Sequence, residues 1–348
     1  MKMRGSRCVS MTVLKTSSSP ALNRRLNLGG LLIMYIGIDL GGTNIAAAVV
    51  DKKGAIIKRA GVPTSGERGA DAVIEGLLRV CDMLMENGEQ PLSIGIGVPG
   101  IVNSEAGEVV FTPNLPLSGV NIVSKLKEKH RCPIYLGNDA NCAALGETIA
   151  GGAKGAKDVV FITLGTGIGG GIIVGGKLVT GINGAAGELG HMVIEEGGRK
   201  CGCGRLGCWE TYASASGIKE TAIDAMKKHE GSLLWELCDG QTAMIEGRLI
   251  FEAYRAGDEL AKLIVEWYVA RLATGIVSII NILQPEMFCI GGGISNAWDC
   301  LETPLVAAVE AEIITRFSKK SPQTRIVKAT LGNDAGIIGA ALLGHYSF

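Results

Sequence analysis

The sequence predicts an α/β protein of two duplicated lobes facing each other across a cleft. Residues 34–50, MYIGIDLGGTNIAAAVV, read as strand, tight glycine turn, strand, and residues 159–174, VVFITLGTGIGGGIIV, read the same way. Aligning Leu40 on Leu164 sets Ile38 against Ile162, Gly41 against Gly165 and Val49 against Ile173, an offset of 124 residues. A single long offset is the duplication of a lobe, not a short solenoid repeat. Facing lobes leave a cleft between them, where ligands bind.

The elements follow in order. Asp51-Lys52-Lys53-Gly54 reads as a hairpin turn into a strand over 55–60. Apolar spacing at Ala70, Val73, Ile74, Leu77, Leu78, Cys81 and Leu84 predicts a helix over 67–87. A buried strand over 93–98 stops at Pro99-Gly100. An amphipathic helix is expected over 120–129, a short strand over 134–136 and a helix from Asp139 to about Ala150. In the second copy Gly175-Gly176-Lys177 takes the hairpin turn, and an insertion spans 181–260. A long apolar helix over 263–283, a strand over 287–293 and a closing helix over 334–343 complete the chain. The expected domains are 34–147, rejoined by the C-terminal 331–348, and 148–330, with 1–33 as a disordered extension.

Composition bounds the function. Of 348 residues 47% are apolar and 20% charged, enough to bury a large core. Lys2, Arg4, Arg7, Lys15, Arg24 and Arg25 stand in an acid-free N-terminus; 34 basic residues less these six leave 28 against 34 acidic ones. That balance excludes nucleic acid and an anionic membrane as partners. The basic, Ser-rich start has transit-peptide composition, but Met34 directly precedes the first strand, so an extension ahead of the true start is expected. No run is expected to approach the roughly 18 apolar residues of a membrane span. Three of ten cysteines crowd at Cys201, Cys203 and Cys208, which predicts a reducing, cytoplasmic setting with one metal site rather than a disulfide framework.

Two glycine loops occupy matched positions. Gly41-Gly42-Thr43-Asn44 follows Asp39-Leu40, and Gly165-Thr166-Gly167 opens the second loop. Glycine lets backbone N–H groups surround an anion, and two such loops across one cleft can grip a polyphosphate from both sides. Gly95–Gly100 and Gly165–Gly170 also match GxGxxG, but that fingerprint requires a helix to follow at once, and neither context supplies one. No GxxxxGK[ST] sequence is present, so phosphate is held without a P-loop.

The motifs IGIDLGGTN at 36–44, TPNLPLSG at 112–119, GNDANCAALGE at 137–147, LGTGIGGGI at 164–172, GELGH at 187–191 and CGCGRLGCWE at 201–210 resemble those of the ROK family of sugar kinases and sugar-responsive repressors. The resemblance runs from Met34 to Phe348 and is nearest to the ATP-dependent bacterial glucokinases. It implies the two-lobed actin-like, ribonuclease-H-like ATPase fold. It also implies phosphorylation of the 6-hydroxyl of glucose by ATP. Other hexoses (fructose, mannose, allose, N-acetylmannosamine) and a non-catalytic sugar-sensing regulator are the alternatives. The family's repressors place a winged helix-turn-helix ahead of this region, and residues 1–33 lack helical periodicity.

Phosphoryl transfer needs positioning, charge neutralisation and an acceptor for the hydroxyl proton. Asp139 is one candidate base, although an Asp opening a helix is also a natural cap. Gly332-Asn333-Asp334-Ala335 repeats Gly137-Asn138-Asp139-Ala140, and local sequence does not separate the two aspartates. The resemblance selects Asp139 and leaves Asp334 as a helix cap beside the nucleotide. Asp39 is the carboxylate expected to meet Mg²⁺, through water. The resemblance places Asn114, Asn138, Asp139, Glu188, His191 and Glu210 around the sugar, with Gly100 offering backbone at its edge. Gly291 and Gly292 are expected against the adenosine. His191, Cys201, Cys203 and Cys208 form a closed Cys₃His donor set, which predicts structural Zn²⁺. The expected partners are a hexose, ATP with Mg²⁺, and further copies of the chain in a homodimer or homotetramer.

Overall fold

The computed structural model describes residues 34–85, 90–318 and 322–346; the expected extension at 1–33 lies outside the described residues. The first lobe opens with strands β1 (Tyr35–Leu40), β2 (Asn44–Val50) and β3 (Ile56–Pro63), then helix α1 (Ala70–Leu84) and β4 (Ser93–Val98). A small sheet of β5 (Ile101–Asn103), β6 (Glu108–Phe111) and β7 (Val120–Asn121) precedes α2 (Ile122–Lys127). β8 (Ile134–Asn138) runs directly into α3 (Asp139–Ala150).

The second lobe repeats this with β9 (Val159–Leu164), β10 (Ile168–Val174) and β11 (Lys177–Leu178). The insertion carries α4 (Glu210–Ala213), α5 (Ala215–Met226), α6 (Leu233–Leu237) and α7 (Gly247–Arg255). Then come α8 (Glu259–Leu283), β12 (Met287–Gly291), α9 (Trp298–Glu312), β13 (Arg325–Lys328), α10 (Asp334–Ala341) and α11 (Leu343–Tyr346).

The two main sheets have the same strand order, β3-β2-β1-β4-β8 and β11-β10-β9-β12-β13. Directions match as well: β1 and β9 pair antiparallel with their hairpin partners and parallel with β4 and β12. β1 with β9, and β2 with β10, share the predicted offset. This is the duplicated, two-lobed actin-like fold.

Each sheet has its own core. Ile36, Ile38, Leu40 and Leu77 are fully buried in the first lobe, and Trp209, Phe251, Tyr268 and Phe288 in the second. The helix that follows the last strand of each sheet packs against the other. α3 and α10 cross so closely that a Cβ at Gly146 would strike the Ala335 carbonyl, and one at Gly339 would strike that of Cys142. The crossing fixes both helix N-termini at the cleft.

Several expected bounds shift. The helix expected over 67–87 is a 3₁₀ turn at Gly66–Arg68 and then α1. The one expected from 120 begins as β7, because the Asn121 side chain accepts from Ser124 N and starts the helix only at Ile122. The expectation of no long apolar run is corrected: α8 is long and apolar enough to cross a membrane by length and composition. It packs as a core helix, burying Ile264, Tyr268, Leu272 and Ile276.

Candidate active site

Three cavities of about 370, 460 and 630 Å³ adjoin along the cleft, because neighbouring ones share lining residues. The first and second share Asp139, Ala140, Gly169, Glu188 and His191; the second and third share Ala143, Thr163, Gly332 and Asn333. Asp139 therefore stands where the first cavity meets the second.

Its placement follows from the β8–α3 junction. Asn138 is the cap of α3: its Oδ1 accepts from Asn141 N at 3.0 Å and its Nδ2 donates to Gly100 O at 3.0 Å. Those bonds tie the helix start to the edge of the 370 Å³ cavity, which Gly100 also lines. Asp139, the first residue of the helix, accepts from the Ala140 N–H at 2.8 Å. Burial raises its pKa, with Glu188 adding to the shift, while the Ala140 N–H opposes it. Asp39, at the end of β1, lines the second cavity, and burial together with the charge of Asp139 pushes its carboxyl up to about 6.

The second lobe supplies the opposite wall. Glu188 and His191 come from the GELGH turn, and Glu210 opens α4. His191 Nε2 lies 3.9 Å from Glu188, and its Nδ1 lies 3.5 Å from Glu210. Glu210 also accepts from Ile168 N at 3.4 Å, beside the glycine loop Gly165-Thr166-Gly167, all three of which line the second cavity. Gly291 and Gly292 line the third cavity, with Ser295, Asn296 and Glu147.

Not every expected residue reaches a cavity wall. Asn114 is exposed, and its neighbour Pro113 lines the 370 Å³ cavity instead. Gly42, Thr43 and Asn44 are exposed beyond Asp39 and line none of the three cavities, nor does Gly41. The Gly41 N–H closes its own loop onto Asn44 O, and Gly165 N–H closes onto Gly167 O, both at 3.0 Å. Asp334 is corrected: it makes no capping hydrogen bond, and its carboxylate pairs with both terminal nitrogens of Arg59, at 2.5 and 2.7 Å. Phe111, which lines the first cavity, was missed; a lone aromatic at the end of a short strand gives no signal in sequence.

His191, Cys201, Cys203 and Cys208 place their donor atoms within 4.8 Å of one another. Cys203 Sγ and Cys208 Sγ are 3.6 Å apart, as are Cys201 Sγ and His191 Nδ1. Donors about 2.0–2.3 Å from a tetrahedral ion stand roughly 3.5–3.8 Å apart, so the set fits zinc. The Cys201 thiol meets Glu210 Oε1 at 2.9 Å; burial and that bond push its pKa up, the reverse of what a bound cation does to a thiol. The loop is also held without metal. Arg199 donates to Thr211 O, Gly217 O and Thr221 Oγ1 at 3.0–3.1 Å, and its guanidinium lies over the Tyr212 and Trp267 rings.

The ROK family model matches residues 35–346. A glucokinase of Halalkalibacterium halodurans is 37% identical over 314 residues, 89% of this chain and 94% of that protein. A glucokinase of Thermotoga maritima is 38% identical over 312 residues, 89% of this chain and 96% of that one. Among solved structures, a ROK family glucokinase from Streptomyces griseus in complex with glucose and AMPPNP superposes with a TM-score of 0.74. It has 34% identity and covers 89% of this chain and 98% of its own. With its duplicated lobes, its cleft acids and its Cys₃His cluster, the chain belongs to the ROK family.

Proposed function

We propose that the protein is an ATP-dependent glucokinase of the cytoplasm, moving the γ-phosphoryl group of MgATP onto the 6-hydroxyl of glucose. The observation that carries this reading is the position of Asp139, a half-buried carboxylate at the junction of the 370 and 460 Å³ cavities. Glucose takes the smaller cavity, among Asn138, Glu188 and His191, with Glu210 on the middle cavity behind His191 and the exposed Asn114 beside Pro113 at its rim. The triphosphate takes the middle one, against Thr166 and Gly167 on one side and Asp39 on the other, with the exposed Gly42 and Thr43 of the first glycine loop just beyond Asp39. The adenosine takes the largest, beside Gly291 and Gly292. The glucokinase relatives and the glucose and AMPPNP complex of the S. griseus protein support this assignment.

In the reaction Asp139 takes the proton of the 6-hydroxyl as that oxygen bonds to the γ-phosphorus. The bond from the γ-phosphorus to the β–γ bridging oxygen breaks, and ADP leaves with the electron pair. A carboxylate whose pKa is raised by partial burial is a stronger proton acceptor than a fully solvated one. Asp39 would hold Mg²⁺ through water, which supplies charge neutralisation at the phosphates. His191 Nδ1 and the three cysteines would hold zinc, whose closed coordination supplies rigidity and no open position. That leaves His191 Nε2 facing the sugar. The working lobes are 34–147 with 331–348, and 148–330.

A coupled ADP-release assay across hexoses tests the reading. Glucose should give saturable, Mg²⁺-dependent turnover and the highest kcat/KM in the panel. No turnover with any hexose rejects the kinase, and a higher value for fructose, mannose, allose or N-acetylmannosamine rejects glucose.

A further inference from the structure

One buried carboxylate at the nucleotide side has no part in the reaction described. Glu147 lies two turns along α3 from Asp139, is 1% exposed, and lines the 630 Å³ cavity. Its Oε1 accepts from Leu331 N at 2.8 Å; its Oε2 accepts from Thr330 N at 3.0 Å and Gly152 N at 2.7 Å. Thr330 is 183 residues away in sequence. A charge this deeply buried persists only where hydrogen bonds replace its water, and three amide donors do so here.

What these bonds hold is specific. Thr330 and Leu331 lie in the connection from β13 to α10, and the next two residues, Gly332 and Asn333, line both the middle and the largest cavities. The glycine turn after α3 presses on the same segment: a Cβ at Gly152 would strike the Lys328 carbonyl. The helix that carries Asp139 at its start is thus fastened, near its end, to the wall of the nucleotide cavity.

We propose that Glu147 is a positioning residue for the nucleotide, fixing the backbone at 330–333 relative to the helix that bears the base; this rests on the kinase reading above. Glu147→Gln keeps the shape but turns an NH₂ group toward at least one of the backbone donors, which is then orphaned. MgATP KM should rise about tenfold or more. Glucose affinity measured without nucleotide should stay within about twofold, because the sugar-side residues lie at the other end of α3. A merely structural defect would lower both affinities together with the melting temperature, and that result overturns the proposal. So does a MgATP KM within about twofold of wild type.

If the variant does not fold, hydrogen exchange on the wild-type chain decides. Adding AMPPNP with Mg²⁺ should increase protection at 329–333 and 151–153 together; no gain at these segments overturns the proposal. Wild-type protein that binds no MgATP removes the kinase reading and this inference with it.

Discussion

The two GNDA segments show how one local sequence takes two roles. Asp139 and Asp334 each open a helix after a sheet-edge strand. Only Asp139 lines a cavity; Asp334 spends both oxygens on Arg59, which is 275 residues away in sequence. Asp139→Asn should lower kcat by about 10²–10⁴-fold, the usual worth of a general base, with glucose affinity by calorimetry close to wild type. Activity within tenfold of wild type would exclude Asp139 as the base. Asp334→Asn should leave kcat within about threefold, because a pair with side chains 54% and 34% exposed contributes little. A loss at Asp334 comparable to that at Asp139 would reverse the assignment.

At the scale of elements, what was legible in sequence followed from periodicity. The duplicated hairpins could be aligned because β1 and β9 are buried strands with unbroken apolar runs, and their glycine turns fall at equivalent positions. α3 was legible to the residue, since Gly-Asn-Asp ends a strand and supplies a cap. Side-chain commitments between distant segments were not legible: neither Arg59 to Asp334 nor Glu147 to Thr330 leaves a trace in local pattern. The start of the helix at Ile122 escaped for a smaller reason, a cap that a β-bridge precedes.

The cysteine loop was legible as a donor set, but its second support was hidden. Arg199 fastens it to α4 and α5 through bonds that need no ion. Cys203→Ser should therefore abolish stoichiometric zinc by metal analysis and raise glucose KM about tenfold or more, while circular dichroism stays native. Global unfolding of the variant would show that zinc, not Arg199, holds the element. A wild-type chain free of zinc would remove the metal altogether.

For the whole molecule, the cleft's charge matters more than any one group. Asp39, Asp139, Glu188 and Glu210 line the middle cavity, and among the described residues no lysine or arginine joins them. A bare polyphosphate would meet four carboxylates there, so the donor has to arrive with its cation. Burial first, and the neighbouring charge of Asp139 second, also disfavour an ionised Asp39. Its carboxyl is pushed up to about 6, against an ordinary 3.8 in the unfolded chain. Between those values the folded state binds the extra proton, so stability falls as pH rises through this window. The shift amounts to about 3 kcal/mol of cost at neutral pH, recovered when a cation neutralises the site. Urea midpoints of the apo protein at pH 4.5 and 7 should thus differ more for wild type than for Asp39→Asn. MgATP should stabilise wild type far more than Mg²⁺-free ATP does, with kcat/KM for ATP falling below pH about 6 as Asp39 protonates. Equal stabilisation by ATP with and without Mg²⁺ would show that the cleft accepts phosphate through backbone donors alone, and that Asp39 has no part in holding the ion.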